Sequence, residues 1–437
     1  MDILDVVKNH ICTGCGICCG MCPTGAIAMS RTCDGRLTPT INNSMCSNCR
    51  LCDRVCPQIQ QSKRMNEVIK DSIEGFAQEG YLGRPADDSL YMLGQTCGLV
   101  RCLLIYALQS GYADRIVCVK DNPDDPLHPV IDVFTKAEQA EQVARSKYCP
   151  IDFGRAIKHI CKKEGKCIIV GLGCHLQGLN KAMEINTLLR ERVKLSIGLI
   201  CDRVLRFGAA DFLLRRAGVN RKDLHSFDYK DKHWKGYPGD VRILDKKGLV
   251  HDVDRKWRLG VMEYYTPLYC RLCMDKLNLL SDISVGDPWG VRLSKEVFSA
   301  VIARTEKGNE FLLQAKQAGK IILQTSGVKV IVQGQNIAAK LHNCIKYKMM
   351  MQKSGLDIPI ILKKELFNHT RLKATYVDKM WFRFNLWTER SKGAEFLNYL
   401  PFWLVYLSIT LKKIERFLIR AKGFINRRLM KLIGPNS

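Results

Sequence analysis

The sequence predicts an α/β fold, preceded by an α+β module and followed by a basic helical segment. From residue 93, apolar strand-like runs alternate with amphipathic helix-like runs, which is typical of a mainly parallel sheet. The first 60 residues hold ten of the 21 cysteines, and basic and aromatic residues become frequent after about 340. These shifts in composition divide the chain of 437 residues into a cysteine-rich module 1–60, a linker 61–92, an α/β domain 93–335 and a tail 336–437.

Two identical cysteine runs lie in the first module. Each has the spacing C-x2-C-x2-C-x3-C and is followed by proline. This run binds cubane [4Fe–4S] clusters in bacterial ferredoxins, where the fourth cysteine of each run ligates the cluster of the other run. Zinc is the alternative, although zinc sites favour four ligands in two pairs. The spacing predicts two crossed ligand sets: Cys12, Cys15, Cys18 and Cys56 for one cluster, and Cys46, Cys49, Cys52 and Cys22 for the other.

The segment after residue 93 supplies the elements of the predicted sheet. A glycine-containing loop leads into an amphipathic helix that stops at Gly111. Further strands and helices follow in alternation, which predicts that successive strands run parallel. The stretches are GQTCGLVRCLLIYALQSGYAD (94–114, loop and helix), RIVCVK (115–120, strand), EQAEQVARSKY (138–148, helix and loop), KCIIVGLGCHLQGLNKAM (166–183, strand, turn and helix) and VKLSIGLIC (193–201, strand).

Four cysteines outside the first module form a possible third set. Cys174 and Cys201 follow two of the predicted strands, at the edge where parallel sheets bind ligands. Cys270 and Cys273 form a C-x2-C pair, which alone suits a zinc ribbon, a redox pair or half of a cluster site. Together the four thiols suit a third [4Fe–4S] cluster. The alternative is two buried strand-end cysteines and an unrelated pair.

The order of short motifs over roughly 75–330 resembles the beta subunit of coenzyme F420-reducing hydrogenases and dehydrogenases, which use a deazaflavin hydride carrier. The resemblance implies a flavin, FAD, and a [4Fe–4S] cluster on Cys174, Cys201, Cys270 and Cys273. Departures from the family pattern at 96–97, 173–175 and Asp202 leave the hydride donor open. The matching motifs are GQTCGLV (94–100), SKY (146–148), GLGCHLQGL (171–179), GLIC (198–201) and YCRLC with DISVGDPWG (269–290).

The resemblance implies an oxidoreductase that moves electrons between a hydride carrier and [4Fe–4S] clusters through FAD. A flavin accepts electron pairs as hydride and releases them singly, whereas a cubane carries one electron. Two alternatives are a ferredoxin-driven flavin reductase of an organic substrate and a non-catalytic electron-wiring subunit of a larger complex. The implied partners are a hydride carrier or a ferredoxin-type protein, and other oxidoreductase subunits.

Several residues are candidates for the flavin site. Gly98 would let the backbone approach a phosphate near a helix N-terminus, where the helix dipole favours anions. Lys147 could bind phosphate or an anionic flavin ring, or be a solvated helix-end lysine. Asp287 could bond the cofactor or cap the next turn, and His175 could tune the cluster, relay a proton or be a neutral surface side chain. The cofactor-binding set is Thr96, Gly98, Ser146, Lys147, Tyr148 and Asp287.

The C-terminal segment predicts contact with an anionic partner. FLNYLPFWLVYLSITL (396–411) is uncharged, but its 16 residues fall short of the roughly 20 that cross a bilayer. The next stretch, 411–433, predicts a basic amphipathic helix that suits an anionic membrane surface. The alternative is packing on the protein's own domain or on a partner subunit. No secretion signal and no nucleic-acid-binding motif is visible, which predicts a cytoplasmic protein, peripheral on the inner membrane face, that binds no nucleic acid.

Overall fold

The computed structural model describes residues 1–69, 74–143, 145–291, 296–356, 374–411 and 413–414. Its strands within these ranges are β1 Ile27–Arg31, β2 Leu37–Ile41, β3 Glu79–Pro85, β4 Arg115–Lys120, β5 Val130–Phe134, β6 Cys167–Gly171, β7 Val193–Leu199, β8 Leu224–Asp231, β9 Asp240–Asp245, β10 Val250–Val253, β11 Ile283–Gly286, β12 Ser299–Ala303 and β13 Ile321–Thr325.

Helices cover both faces of the sheet and form much of the two ends of the chain. They are α1 Ile3–Lys8, α2 Ile17–Met21, α3 Leu51–Val55, α4 Lys63–Val68, α5 Ser89–Leu93, α6 Leu99–Gln109, α7 Gly154–Lys162, α8 Gly173–Ile185, α9 Thr187–Arg192, α10 Gly208–Ala217, α11 Arg255–Tyr265, α12 Leu268–Arg271, α13 Glu306–Gln317, α14 Val328–Gly334 and α15 Ile337–Lys353. Two more helices follow, Tyr376–Thr388 and Ser391–Asn398, and short 3-10 helices span Ala137–Gln142 and Arg221–Asp223.

An eight-stranded sheet in the order β13-β3-β12-β11-β7-β6-β4-β5 forms the centre of the fold. The four strands β11, β7, β6 and β4 run parallel to one another, and antiparallel strands extend the sheet on both sides. All five residues of β6 and of β12 are buried, as expected for strands covered on both faces. The α/β prediction is confirmed, and β4 spans the same six residues as the predicted strand.

The predicted linker needs correction, because residues 79–85 form β3 inside the sheet. This strand pairs with β12 on one side and β13 on the other. Its sequence, EGYLGRP, is poor in strand-forming residues. It contains two glycines because neighbouring elements approach its backbone closely. A Cβ on Gly83 would lie 2.9 Å from Leu99 Cδ2, and one on Gly80 would lie 2.6 Å from the Gly327 carbonyl carbon.

The cysteine-rich module packs directly on helices of the α/β domain. Residues from α2 and α3 share one hydrophobic core with residues of α7, α8 and the sheet. The contact is close enough that a Cβ on Gly178 would lie 2.7 Å from Ile17 Cγ1, and one on Gly20 would lie 2.7 Å from Ile157 Cβ. The module and the α/β domain therefore share a continuous interior.

The described part of the C-terminal segment packs on the body, in agreement with the alternative of packing on the protein's own domain. Leu397, Leu400 and Val405 are buried in a core with α10 and α11. The hydroxyl of Tyr265 donates to the Leu397 carbonyl at 2.6 Å. No helix in the described ranges is long and apolar enough to cross a membrane. Most of the predicted basic amphipathic helix, from 415 onward, lies outside the described residues.

One buried carboxylate links the C-terminal helices to both other parts of the chain. Glu389 lies with its Oε1 2.6 Å from Arg206 Nη2 and its Oε2 2.9 Å from Arg36 Nε. Its Oε1 also accepts the backbone N–H of Leu268 at 2.9 Å. Arg36 belongs to the cysteine-rich module and Arg206 to the α/β domain, so one ion-pair network stabilises the arrangement of all three parts.

Candidate iron–sulfur and flavin site

The first predicted cysteine set meets around one cavity. Cys12, Cys15, Cys18 and Cys56 line a space of about 350 Å³, and burial raises the pKa of the Cys12 and Cys56 thiols to about 12. Cys56 follows α3 and reaches the other three from the far end of the module. The structure therefore brings Cys56 close to the three cysteines of the other run, as the predicted crossed ligand set requires.

The second predicted set lies at the surface. Cys49 is exposed, whereas Cys22, Cys46 and Cys52 are half-buried. Cys49 stands close enough to both Cys22 and Cys52 for their charges to interact. The backbone N–H of Leu51 is the main group that lowers the pKa of Cys49. Cys46 precedes Cys49 in the same loop, and its thiol lies 3.7 Å from Asn48 Oδ1.

The third set joins two strand ends to the C-x2-C pair. Cys174 is the second residue of α8, directly after β6, and Cys201 follows the neighbouring strand β7. These two, with Cys270 and Cys273, line a cavity of about 870 Å³. Burial raises the pKa of Cys270 to about 12. The thiol of Cys174 interacts electrostatically with the other three and with Cys15 of the first set.

The chemistry of these donors fits cubane clusters. A cubane distributes its four protein thiolates over four iron atoms, so its ligands stand further apart than those of one ion. Among the described residues, no three His, Cys, Asp or Glu side chains stand close enough to share a single metal ion. The first and third sets each place four thiols around one cavity, and the second set lies at the surface.

A larger cavity lies at the carboxyl edge of the parallel strands. Its volume is about 1240 Å³ when the part open to solvent is included. The ends of β6 and β11, the loop before α6 and the loop at 146–149 form its walls. All six residues of the predicted flavin set line it: Thr96, Gly98, Ser146, Lys147, Tyr148 and Asp287.

Gly98 shapes the wall of this cavity at the start of α6. Its φ of 83° is left-handed, and a Cβ there would lie 2.3 Å from the Leu90 carbonyl oxygen. No side chain caps the helix that follows, which leaves its first backbone N–H groups without an intrahelical partner. The loop thus presents a positive helix end beside the cavity.

Neighbouring cavities share some of the residues that line them. Cys149, Ile151, Leu172 and His175 line both the large cavity and the cavity of the third cysteine set. Thr13 and Gln58 line both the third-set and the first-set cavities. The large cavity, the cavity of the third cysteine set and the cavity of the first cysteine set therefore adjoin one another in that order.

Comparison with known proteins places this arrangement in a family. Residues 81–158 match the family model for the N-terminal part of the coenzyme F420 hydrogenase/dehydrogenase beta subunit, and residues 164–327 match the model for its C-terminal part. The chain belongs to this family. The F420 hydrogenase/dehydrogenase beta subunits are oxidoreductase components, so the predicted enzyme class is confirmed.

Several curated proteins are similar in sequence to this beta-subunit family member. The chain is 26% identical over 320 residues to a coenzyme F420-dependent sulfite reductase of Methanocaldococcus jannaschii, covering 70% of this chain but 46% of that protein. It is 26% identical over 265 residues to the beta subunit of coenzyme F420 hydrogenase of Methanothermobacter thermautotrophicus, covering 59% and 87%. It is 24% identical over 323 residues to the F subunit of the F(420)H(2) dehydrogenase of Methanosarcina mazei, covering 71% and 83%.

A solved structure is also similar to this family member. It is a chain of the F420-reducing [NiFe] hydrogenase complex from Methanosarcina barkeri, with a TM-score of 0.49 and 20% identity. The match covers 62% of the present chain and 93% of that chain.

In this F420 beta-subunit homologue, Asp287 is the centre of a polar network in the large cavity. Thr96 Oγ1 donates to Asp287 Oδ1 at 2.5 Å, and Lys230 Nζ donates to Oδ2 at 2.6 Å. Burial alone would raise the pKa of Asp287, but Lys230 and the two hydrogen bonds hold it below its usual value. Lys230 belongs to no motif of the sequence, and only the fold brings β8 to this place.

Lys147 differs from both of its predicted roles. Its side chain is buried, with Nζ 2.6 Å from Asp121 Oδ1 and 3.6 Å from Asp228 Oδ1, and it donates to the Phe227 carbonyl at 2.9 Å. It is therefore not a solvated lysine, and its charge is already paired with carboxylates. These contacts hold the 146–149 loop against β8 instead of leaving the ammonium free for an anion.

His175 is buried between the large cavity and the third cysteine set. Its Nδ1 accepts the Leu172 N–H at 3.2 Å, which leaves the proton on Nε2, 3.1 Å from the Ile151 carbonyl. The ring stacks on Phe153 at 4.0 Å, and burial lowers its pKa to about 4. The surface interpretation is wrong, and with both nitrogens bonded to backbone the ring is a fixed wall, not a proton relay.

Proposed function

We propose that this chain is an iron–sulfur flavoprotein that moves electrons between a hydride carrier, coenzyme F420 or a similar molecule, and [4Fe–4S] clusters through FAD. The observation that supports the proposal is the series of adjoining cavities from the large cavity through the third cysteine set to the first, with the second set at the surface of the same module. Each cysteine set offers four thiols, and the six predicted flavin-site residues line the large cavity beside the third set.

The residues along this series of cavities would have different roles. The flavin supplies the conversion between two-electron and one-electron chemistry. The start of α6 and the loops at 94–98 and 146–149 would hold it, and the Thr96–Asp287–Lys230 network would orient its polar edge. His175 and Leu172 line both the large cavity and the cavity of Cys174, and would lie between the flavin and the third cluster. The exposed Cys49 marks the end at which a one-electron partner, a ferredoxin-type protein or another oxidoreductase subunit, would dock.

Donor titration of anaerobically reconstituted protein tests the proposal. We expect reduced F420 to bleach the flavin absorbance and then to produce the electron paramagnetic resonance signals of reduced clusters. NADH and reduced ferredoxin serve as comparison donors on the same sample. Reduction by ferredoxin alone would favour the reductase of an organic substrate, and clusters without any bound flavin would favour a wiring subunit.

We further propose that the protein is cytoplasmic and that it contacts an anionic membrane through its C-terminal helices. Opposite the packed face, Tyr399 is 75% exposed and Trp403 65%, and Tyr406 and Leu411 are also exposed, directly before a basic stretch of sequence. Interfacial aromatic and basic residues favour such a surface. The protein should float with anionic vesicles at low salt and lose this property when Trp403 and Tyr406 are both changed to serine. Flotation that is unchanged in this variant, or absent in the wild type, would assign the face to a partner subunit.

A further inference from the structure

Cationic side chains line the large cavity, and most of them are already neutralised. Lys147 is paired with Asp121, and Lys230 with Asp287. Arg145 lies 2.5 Å from Asp231 Oδ2. In each case a carboxylate of the protein forms an ion pair with the cation, so none of the three offers an unpaired cation to a bound anion.

Arg101 is the exception in this cavity. It is 8% exposed, and its Nη2 donates to the Val143 carbonyl at 2.6 Å. Within the part of the chain that the structure describes, Arg101 forms no ion pair within 4.0 Å, and the carboxylates of Glu141 and Asp121 act on it only at longer range. A buried guanidinium without a contacting counter-ion is unfavourable, and an anionic ligand in the cavity would reduce that cost.

The N-terminus of α6 provides a second source of positive potential beside Arg101. It is the third residue of α6, an 11-residue helix whose first turn lacks a side-chain cap and follows the left-handed Gly98. Free N–H groups of a helix start and a planar guanidinium together are the usual partners of phosphate oxygens. Both belong to the walls of the same cavity.

We infer that Arg101 and the first turn of α6 bind the diphosphate of the flavin nucleotide. This inference rests on the proposed function, because it requires a flavin in the large cavity. The same phosphate chemistry could come from a phosphate-bearing hydride carrier, so the experiment measures the two separately. Arg101 then contributes to affinity for the nucleotide part and not for the isoalloxazine ring.

The experiment compares FAD with riboflavin, which shares the ring but has no phosphate. Dissociation constants of flavin-free protein are measured by quenching of flavin fluorescence, with no hydride donor present. Arg101→Gln should weaken FAD binding about 10- to 100-fold, as expected for a lost charge-assisted hydrogen-bond pair, and leave riboflavin binding within about twofold. Arg101→Lys should recover part of the loss. Arg155→Gln, an exposed arginine on α7, is the matched control and should change neither.

A measurement on the wild type removes dependence on how the variants fold. Inorganic pyrophosphate should compete with FAD and not with riboflavin. Equal loss of FAD and riboflavin affinity in Arg101→Gln, or no competition by pyrophosphate, would overturn the inference while leaving a flavoprotein. Unchanged FAD affinity with a raised KM for the hydride donor would assign the phosphate to the donor instead. A wild type that binds no flavin at all would overturn the proposed function itself.

Discussion

Replacing Cys174 by serine is expected to stop electron transfer from the hydride donor to a one-electron acceptor, while FAD stays bound and reducible. Cys174 lies between the large cavity and the first cysteine set, and its thiol interacts with both Cys201 and Cys15. Loss of the third cluster would leave the flavin without a neighbouring one-electron carrier. Stopped-flow absorbance would follow flavin reduction, and reduction of an added dye would follow electron exit.

The matched control for this variant is Cys33→Ser. Cys33 is exposed in the hairpin of the cysteine-rich module and belongs to none of the three sets. We expect it to keep the iron content and the transfer rate of the wild type, whereas Cys174→Ser should lose about four of about twelve iron atoms. Full iron content and normal transfer in Cys174→Ser would show that Cys174 is not a cluster ligand.

Replacing Glu389 by alanine is expected to destabilise the whole protein by about 3–5 kcal/mol, the usual cost of breaking a buried ion pair by removing one partner. The Glu389 side chain is fully buried, and its removal leaves Arg206 and Arg36 without their shared carboxylate. Arg36 would keep Asp34 at 2.5 Å, so Arg206 carries most of the loss. Urea unfolding of the anaerobic protein measures the change.

Glu395→Ala is the control for the stability measurement, since Glu395 is exposed on the helix Ser391–Asn398. Surface substitutions of this kind usually change stability by less than about 0.5 kcal/mol. If Glu389→Ala unfolds at the same urea concentration as Glu395→Ala, the network does not hold the three parts of the chain together.

The structure brings together the first and third cysteine sets that the sequence predicts, whereas it corrects the prediction for parts of the chain around them. The cysteine runs carry their ligand sets in local spacing, and the apolar strands β4 and β6 are evident from composition alone. Strand β3 escapes prediction because its glycines serve close contacts with neighbouring elements and not strand propensity. The spacing of residues in a sequence indicates local geometry only. Gly80 of β3 contacts Gly327, which lies at the opposite end of the α/β domain in sequence, so spacing could not predict this contact.

The same limit explains the errors at the flavin site. Lys147 lies in a motif that resembles the family pattern. Its ammonium contacts Asp121 and the carbonyl of Phe227, and both of these residues come from distant strands and loops. Nothing in the sequence singles out Lys230 or Arg101, although Arg101 lies one helical turn after Gly98, where a phosphate-binding cation could be sought. In the C-terminal segment, the 396–411 run is apolar on two faces, and only the structure separates the face that packs from the face that is exposed.

The stoichiometry of iron, acid-labile sulfide and FAD in anaerobically reconstituted wild-type protein tests the central claim most directly. Three four-thiol sets and one flavin cavity predict about twelve iron and about twelve sulfide for each FAD in one chain. About eight of each would remove the third cluster and break the series between the large cavity and the cysteine-rich module. Full cluster content with no FAD bound, even after FAD is added, would contradict the flavoprotein account altogether.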